Sequence, residues 1–534
     1  MKPLYKRLSV WLPLIIAASL ALGIWTGSFF FSRKSSSDSE AYAKLQAIMS
    51  QIDKNYVDTV NLDSLLERSL PALLAQLDPH STYIPASELE MYNDDIAGSF
   101  SGIGIKFNVL TDTIAVDEVI SGGPSEKVGI MAGDRIVEID DSIVAGRNWS
   151  NERIIKSLRG PKDTTVKLGI KRNNSDELLT FTVTRGDIPV NSVDASYIIA
   201  PGIGYIKLSK FTDESYKEFL TSLARLRAQG AKKYIFDLRG NGGGLMQAAV
   251  QMANEFLGAE STIVSMKGKN ANYNQAFISD GLGSFKDEDI VVLIDEISAS
   301  ASEIFAGAIQ DNDRGQIIGR RSFGKGLVQN QIDLPGKSAM RLTVARYYTP
   351  SGRCIQKSYT PGDFSDYTSE LAERYAHGEA FYADSMRIDK SQIFHTVGGR
   401  EVYGGGGIVP DIYVANDTLG ITDYYIKVLN AGMFQKFSFH YTDTHRNELL
   451  KAKDSKQLLK LLPSDDTLLN DFVSYAAHTG GVTPRWYYIN QSRQLIVSIL
   501  KALIARDVLG TSAYYEVINE TDTTVARAIE ELKK

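Results

Sequence analysis

The feature that most constrains the fold is an alternation of apolar strand-like runs and amphipathic stretches that begins near residue 187. Strand-like runs at residues 203–208, 234–238 and 290–294 alternate with helix-like stretches at residues 216–228 and 245–257. Short, continuously apolar strands are typical of a sheet that is buried on both faces. The order strand, helix, strand, helix therefore predicts an α/β domain with a mainly parallel sheet covered by helices.

A second, β-rich unit precedes this domain, at residues 96–186. Alternating strand-like runs lie at residues 114–116, 136–139, 166–170 and 179–183, and turn-forming residues separate them. This pattern predicts a compact β-rich unit.

Chain length and the flanking regions complete the expected organisation. A chain of 534 residues is too long for one ordinary core. Residues 41–95 and 420–534 show helical spacing of apolar residues, and residues 359–400 are polar and aromatic, as in an insertion. The predicted segments are 1–34, 35–95, 96–186, 187–415 with an insertion at about 359–400, and a helical C-terminal region at 416–534.

The first 34 residues predict a membrane anchor. Lys2, Lys6 and Arg7 precede an uncharged run from Leu8 to Phe31, which would span about 36 Å as a helix at about 1.5 Å per residue. This length suffices to cross a bilayer, and a cleaved signal usually has a shorter apolar region. We expect an uncleaved transmembrane helix with the rest of the chain outside the cytoplasm.

Composition excludes several classes of function. The net charge of −6 argues against a broad nucleic-acid interface. Cys354 is the only cysteine, so no intrachain disulfide and no cysteine-built metal site can form. The six histidines are scattered without an HExxH pattern, and we expect neither a metal site nor a cofactor.

The chemically informative pair is Ser300, set among small residues, and Lys325, set between two glycines. A serine hydroxyl is a poor nucleophile unless a base takes its proton, and no histidine lies between His80 and His377. Lys325 is therefore the nearest candidate base, and Gln329 shares its face if the segment is extended. Helix capping by Ser300 is the alternative interpretation.

A glycine-rich run at residues 240–244 follows a buried strand and precedes a helix. It fits no dinucleotide fingerprint, and the segment around Lys325 fits no P-loop. The better interpretation is an oxyanion-binding turn whose backbone N–H acts together with that of Ala301. We interpret Glu303 and Asp311 as structural, Glu303 because its spacing from Ser300 fits a capping box.

Together these motifs resemble those of the carboxy-terminal processing peptidases, a family of Ser-Lys proteases. The matching stretches lie within about residues 40–415, at residues 77–81, 102–104, 237–244, 298–303, 323–329, 348–353 and 407–411. The resemblance implies a multidomain α+β chain whose core at 187–415 is an α/β protease of the S41, crotonase-like type.

The same resemblance implies roles for individual residues. Ser300 would be the nucleophile, Lys325 the general base and Gln329 the residue that orients the lysine. The oxyanion hole would combine Ala301 with Gly243 or Gly244. Residues 96–186 would be a PDZ domain, and its peptide-binding loop is predicted at Gly102, Ile103, Gly104 and Ile105.

The sequence thus predicts an endopeptidase anchored in the inner membrane of a bacterial cell envelope, with its protease domain in the periplasm. Its expected partners are proteins with exposed apolar C-termini and the membrane, and assembly with further copies of itself stays open. A non-catalytic PDZ scaffold is the first alternative, and an acyl-CoA enzyme is the second. Residues 359–400 and 416–534 match no motif of the family, and both a dimer surface and a substrate-restricting cover stay open for them.

Overall fold

The computed structural model describes residues 17–19, 22–23, 40–110, 112–120, 122–172 and 177–534. The predicted anchor at residues 8–31 lies almost wholly outside these described residues. Across the described ranges, no helix combines the length and the apolar character needed to span a bilayer. The chain divides into two compact units, Met1–Leu73 and Leu74–Lys534.

The first unit is mainly helical over its described residues from 40 onward. It contains α1 (Glu40–Asn55) and nearly all of α2 (Leu62–Leu74). The helical spacing in residues 41–95 is therefore confirmed for these two helices.

The second unit begins with β1 (Thr82–Ile84) and α3 (Ala86–Ala97), and the predicted PDZ unit follows. The elements of the PDZ unit are β2 (Ser99–Gly102), β3 (Ile105–Leu110), β4 (Thr113–Val119), α4 (Pro124–Lys127), β5 (Arg135–Ile139), β6 (Ser142–Ile143), α5 (Asn151–Leu158), β7 (Thr165–Lys171), β8 (Leu179–Thr184) and β9 (Gly186–Pro189).

The main sheet of the PDZ unit is antiparallel, in the order β3-β4-β5-β7-β8, and β6 pairs with β5. Strands β2 and β9 pair with each other at the two ends of the unit. Alternate residues of β7, such as Val166, Leu168 and Ile170, are buried in one apolar core with Ile154 of α5. The two-residue period of the sequence produces this one-sided burial.

The core elements are β10 (Val193–Ala200), β11 (Ile203–Leu208), α6 (Ser215–Ala228), β12 (Lys233–Asp237), α7 (Met246–Asn254), β13 (Thr262–Gly268), β14 (Gln275–Ile278), β15 (Asp289–Ile294), α8 (Ala301–Asp311), β16 (Gln316–Gly319), β17 (Leu327–Leu334), β18 (Ser338–Tyr348), α9 (Ser365–Ala376), β19 (Ile393–His395), β20 (Glu401–Tyr403) and β21 (Ile412–Tyr413).

The predicted parallel sheet is confirmed. Its order is β10-β11-β12-β15-β16-β21, and every neighbouring pair is parallel except β10 with β11. Helices α6, α7 and α8 cover one face, where residues such as Phe219, Phe236 and Phe305 form the largest core. All residues of α8 are buried, so the helix after Ser300 is held on every side.

A second core sheet is antiparallel and was not predicted from the sequence. Its order is β1-β18-β13-β14, and β17 also pairs with β18. The long strand β18 thus brings β1, which precedes the PDZ unit, beside β17, which follows Lys325. The remaining two strands, β19 and β20, form a separate hairpin in the insertion.

The C-terminal region is helical, as predicted. It contains α10 (Asp423–Asn430), α11 (Met433–Thr444), α12 (Arg446–Leu449), α13 (Ser455–Leu461), α14 (Asp465–Gly480), α15 (Trp486–Leu509), α16 (Thr511–Ile518) and α17 (Thr523–Lys533). Apolar residues at helical spacing on α15, including Ile496, Leu500 and Ile504, are buried in a core of this region's own.

Candidate active site

Ser300 lies at the N-terminal end of α8, in the loop that leaves strand β15. Its backbone has φ 57° and ψ −114°, a conformation that costs a non-glycine residue about 1–3 kcal/mol. The loop is tied to the end of strand β12, because Ser298 Oγ donates a hydrogen bond to the carbonyl of Leu238 over 2.8 Å. Ser300 and Glu303 form a capping box, so the capping interpretation holds for Ser300, but its strained backbone sets it apart from an ordinary capping serine.

The glycine-rich turn packs directly against Ser300. A Cβ added at Gly243 would lie 2.7 Å from Ser300 Cβ and 2.9 Å from the nitrogen of Ala301. Only glycine fits there, and its φ of 101° also favours glycine. The carbonyl of Asn241 accepts bonds from the N–H of Ala299 at 3.1 Å and from Ser302 Oγ at 2.9 Å. The turn and the serine loop therefore form one bonded structure.

The backbone donors near Ser300 differ in their availability. Neither the N–H of Ala301 nor that of Gly244 has an acceptor among the described residues. The N–H of Gly243 instead donates to Asn241 Oδ1 over 2.9 Å. The N–H groups of Ala301 and Gly244 are thus available to an oxyanion. The N–H of Gly243 would have to share its hydrogen between Asn241 and the oxyanion.

A buried carboxylate joins the serine loop to the lysine segment. Glu303 Oε2 accepts the N–H of Ser300 at 2.9 Å and that of Lys325 at 2.8 Å. Glu303 Oε1 accepts Ser322 Oγ at 2.5 Å and the N–H of Gly324 at 2.7 Å. Burial raises the pKa of Glu303 to about 7, and these four donors oppose the rise because they stabilise the charged form. The predicted capping role is only part of what this residue does.

Tyr347, on β18, provides a second link between the two segments. Its hydroxyl lies 3.2 Å from the carbonyl oxygen of Ser300 and also within hydrogen-bond reach of that of Lys325. The ring is 1% exposed, so this link is shielded from water. Sequence reasoning missed Tyr347, because no local pattern connects it with either segment.

The amine of Lys325 is half-buried and lacks a carboxylate partner. No hydrogen bond or ion pair joins its Nζ to another residue in the described part of the chain, Ser300 included. Burial and the charge of Arg341 lower the pKa of Lys325, while Glu303 and Asp78 oppose that shift. The environment thus favours the neutral amine that a general base requires.

Gln329 lies on β17, four residues after Lys325, and its side chain bonds elsewhere. Its Nε2 donates to Thr343 Oγ1 at 3.3 Å, and Thr343 Oγ1 donates to Asp78 Oδ1 at 3.0 Å. Asp78 also accepts bonds from the N–H of His80 and from both the N–H and Oγ of Ser81. The predicted orienting bond from Gln329 to the lysine is absent among the described contacts, and the role of Gln329 stays a prediction.

The same loop places His80 beside the candidate site. Burial, and then the charge of Lys325, lower the pKa of His80 to about 4, so its ring is neutral near pH 7. Its Nε2 lies 2.7 Å from the hydroxyl of Tyr367 on α9. The sequence marked residues 77–81 as a motif, but only the pairing of β1 with β18 reveals that they line the lysine's surroundings.

A separate groove of about 350 Å³ lies on the PDZ unit, between β3 and α5. Three of the predicted loop residues, Ile103, Gly104 and Ile105, line it, whereas Gly102 lies outside its lining. The N–H groups of Ile103 and Gly104 have no acceptor among the described residues. On α5 the groove is lined by Asn151, Ile155 and Leu158, which share one helix face. This arrangement suits an extended peptide with an apolar last residue.

Three family models match stretches of the second unit. The model for peptidase family S41 matches residues 202–365, and that for the PDZ domain matches residues 101–184. A model for a family of unknown function matches residues 424–510.

Named relatives are similar over much of the chain. The carboxy-terminal-processing protease of Bartonella bacilliformis is 37% identical over 319 residues, which cover 59% of this chain and 72% of that protein. The carboxy-terminal processing protease of Bacillus subtilis is 32% identical over 349 residues, covering 64% and 73%. Among solved structures, the photosystem II D1 C-terminal processing protease is 28% identical, with a TM-score of 0.33, covering 60% of this chain and 92% of that one.

Proposed function

The chain belongs to the carboxy-terminal processing proteases of peptidase family S41, and we propose that it cleaves peptide bonds with Ser300 as nucleophile and Lys325 as general base. One observation carries this proposal. The carboxylate of Glu303 binds the backbone N–H groups of both residues, at 2.9 and 2.8 Å, and so holds the two segments together.

In the proposed reaction, the neutral amine of Lys325 takes the proton of Ser300 Oγ as the oxygen attacks the peptide carbonyl. The resulting ammonium then donates that proton to the departing amine, which leaves an acyl-enzyme ester on Ser300. Lys325 next takes a proton from a water molecule as the water oxygen attacks the ester carbonyl. The C–O bond to Ser300 then breaks, the carboxylic acid product leaves, and the ammonium returns the proton to Ser300 Oγ. Catalytic hydrogen bonds are often long without substrate, so the missing Ser300–Lys325 bond is compatible with this route.

Negative charge develops on the carbonyl oxygen during each attack. We assign its stabilisation to the N–H of Ala301 at the N-terminal end of α8 and to the glycine turn, with Gly243 and Gly244 both retained as candidates. Loss of one such donor typically costs about 10²–10³-fold in rate. The unoccupied N–H groups of Ala301 and Gly244 support this assignment.

The substrate class follows from the PDZ groove. A C-terminal peptide would add to β3 as a further strand, its carboxylate would meet the N–H groups of Ile103 and Gly104, and its last side chain would enter the apolar groove. We propose that proteins with exposed apolar C-termini are bound there and are cut at Ser300.

For cellular location we retain the expectation from the sequence. Basic residues followed by the uncharged run from Leu8 to Phe31 support an inner-membrane anchor with the protease in the periplasm. Fractionation of cells, followed by protease treatment of spheroplasts, tests this location directly.

The proposed activity is tested with the full-length protein and its S300A and K325A variants. Each is incubated with an unfolded protein that ends in apolar residues and with the same protein ending in charged residues. We expect cleavage by the wild type alone, faster for the apolar tail, with tail binding retained by both variants. Binding without any serine-dependent cleavage would instead favour the non-catalytic PDZ scaffold.

A further inference from the structure

Helix α9, in the insertion, contacts the chain immediately before the catalytic lysine. The guanidinium of Arg374 donates to the carbonyl of Ser322 at 2.7 Å and to those of Arg321 and Phe323 at 3.4 Å each. Arg374 is 4% exposed, so these bonds form away from water. One side chain thus binds three successive carbonyls next to the segment that carries Lys325.

The position of Arg374 is itself determined by ion pairs. Its Nε lies 2.5 Å from Glu370 Oε1, one helical turn earlier on α9. The other oxygen, Glu370 Oε2, lies 3.2 Å from Lys357 Nζ. Because this ion pair already orients the guanidinium, Arg374 loses little further side-chain entropy when it binds the carbonyls.

Tyr367 forms the aromatic part of the same contact. Its ring meets Phe323 edge to face at 5.9 Å and His80 at 5.5 Å. The ammonium of Lys357 lies 4.0 Å from the centre of the Phe323 ring and 4.2 Å from that of Tyr367. These rings exclude water from the α9 side of the lysine segment.

The donors and the acceptors of residues 321–325 therefore have different partners. Glu303 of α8 accepts hydrogen bonds from the hydroxyl of Ser322 and from the N–H groups of Gly324 and Lys325. Arg374 of α9 supplies donors to the carbonyls of this segment. A segment bonded on both sides has one backbone path, and that path determines how deeply the lysine amine is buried.

We propose that Arg374 is a positioning residue of the protease: by binding the carbonyls of residues 321–323 it holds the Lys325 amine in its half-buried place. This proposal rests on the proposed function of Lys325. It assigns the inner face of the insertion to support of the catalytic segment, a role that neither a dimer surface nor a substrate cover requires.

The expected consequence is a change in the lysine's pKa. The groups that face Lys325 are Arg341 and Tyr347 on β18, Glu303 on α8, and Asp78 and His80 before β1. Burial is the largest cause of the lowered pKa of Lys325. If the segment relaxes and the amine becomes solvated, that pKa rises towards its ordinary value, and a rise of one unit lowers the neutral fraction about tenfold.

The test compares R374Q and R374K with R387Q in the full-length protein, using kcat and KM for one peptide substrate between pH 6 and 10. Arg387 is an exposed arginine of the same insertion and serves as the matched control. For R374Q we expect kcat at pH 7 to fall about tenfold or more, KM to stay within about twofold, and activity to recover at higher pH. R374K, which keeps the charge, should recover part of the loss, and R387Q should match the wild type.

A loss of equal size at every pH, or no loss, would overturn the proposal. E370Q provides a second variant in case R374Q folds poorly, because it loosens the arginine without removing it; we expect a smaller shift of the pH profile in the same direction. Absence of serine-dependent cleavage by the wild type would count against the proposed function itself, so the two failures are distinguishable.

Discussion

At the scale of single residues, the candidate site depends on buried side chains that link segments rather than on the two reactive groups alone. The Glu303 carboxylate binds both the serine and the lysine segments. Asn241 binds the glycine turn through its side chain and the serine loop through its backbone carbonyl. The Glu303 carboxylate accepts three backbone N–H groups and the Ser322 hydroxyl, and the Asn241 side chain bonds only to backbone groups, so both side chains restrict the path of the backbone. Because of these links, we expect positions of low chemical reactivity to be necessary for the proposed activity.

We predict that E303Q lowers both activity and stability. All four partners of Glu303 are donors, so the amide group of glutamine would point a donor at a donor. We expect kcat to fall at least about tenfold and the free energy of unfolding to fall by about 1–3 kcal/mol. Steady-state kinetics and thermal unfolding measure the two effects, and E520Q, at an exposed position, is the control.

The pH dependence of the wild type follows from the same groups. Because the pKa of Glu303 is raised to about 7, the carboxyl group is increasingly protonated below pH 7, and protonation places a donor among its four donors. Lys325 must also be neutral to act as a base. Activity should therefore rise with pH from 6 to above 8. A profile that falls across this range would contradict both assignments.

At the scale of elements, the last helix, α17, covers the face of the core sheet opposite α6 to α8. Val525, Ala528 and Leu532 pack with residues of the sheet such as Tyr205 and Leu293. The strands of this sheet are apolar on both faces, so the second face needs a cover. The C-terminal region provides it.

The start of α17 also reaches the glycine turn. Oδ2 of Asp522, the N-cap of α17, lies 2.8 Å from Arg239 Nη1. Arg239 in turn binds both carboxylate oxygens of Asp237 at the end of β12. Burial alone would raise the pKa of Asp237, but the charges of Arg239 and Lys207 hold it below its usual range. The negative charge of Asp237 is thus balanced by Arg239 and Lys207 just before the glycine turn at residues 240–244.

We predict that A528D detaches α17. Ala528 is fully buried against the sheet, and an unpaired carboxylate there should cost about 2–5 kcal/mol in the docking of the helix. Binding of a hydrophobic dye and susceptibility of the C-terminus to limited proteolysis should both increase. A526D, at an exposed position of the same helix, should behave as the wild type; equal effects of the two variants would argue against the cover.

At the scale of the whole molecule, the C-terminal helical region contacts both the protease core and the PDZ unit. Arg135 of the PDZ unit lies 3.0 Å from Asp443 of α11, whose side chain is 4% exposed. The hydroxyl of Thr511, at the start of α16, lies 3.4 Å from Lys106 Nζ and 3.4 Å from Glu118 Oε2, both in the PDZ unit. The peptide-binding unit is therefore held by a region that also covers the core sheet.

We predict that D443A loosens the PDZ unit without changing its groove. The variant leaves the donors of Arg135 and Arg446 without their carboxylate, at a cost of about 1–3 kcal/mol. Distances between spin labels on the PDZ and C-terminal regions should broaden, while affinity for an apolar C-terminal peptide stays within about twofold. D471A, at an exposed position of α14, is the control, and an unchanged distance distribution in D443A would refute the prediction.

Much of this architecture could be read from local patterns. The parallel sheet, the β-rich PDZ unit and the helical C-terminal region were each predicted, because burial on one or both faces imposes a period on nearby residues. The motif around Ser300, the glycine turn and Lys325 were recognised for the same reason: each lies within one short stretch of chain. The membrane anchor lies outside the described residues and stays a prediction, as do the segment boundaries.

By itself, the sequence determined the family, the local elements and the residues proposed for chemistry. Only the tertiary structure decided which distant residues support them. Arg374 and Asp78 reach the surroundings of the lysine, and Asp522 reaches the arginine before the glycine turn, through strand pairing and helix packing. A single buried ion pair or hydrogen bond produces no periodic pattern in the sequence. Local patterns record which face of an element is buried, whereas the partner across the interface is chosen by packing in three dimensions.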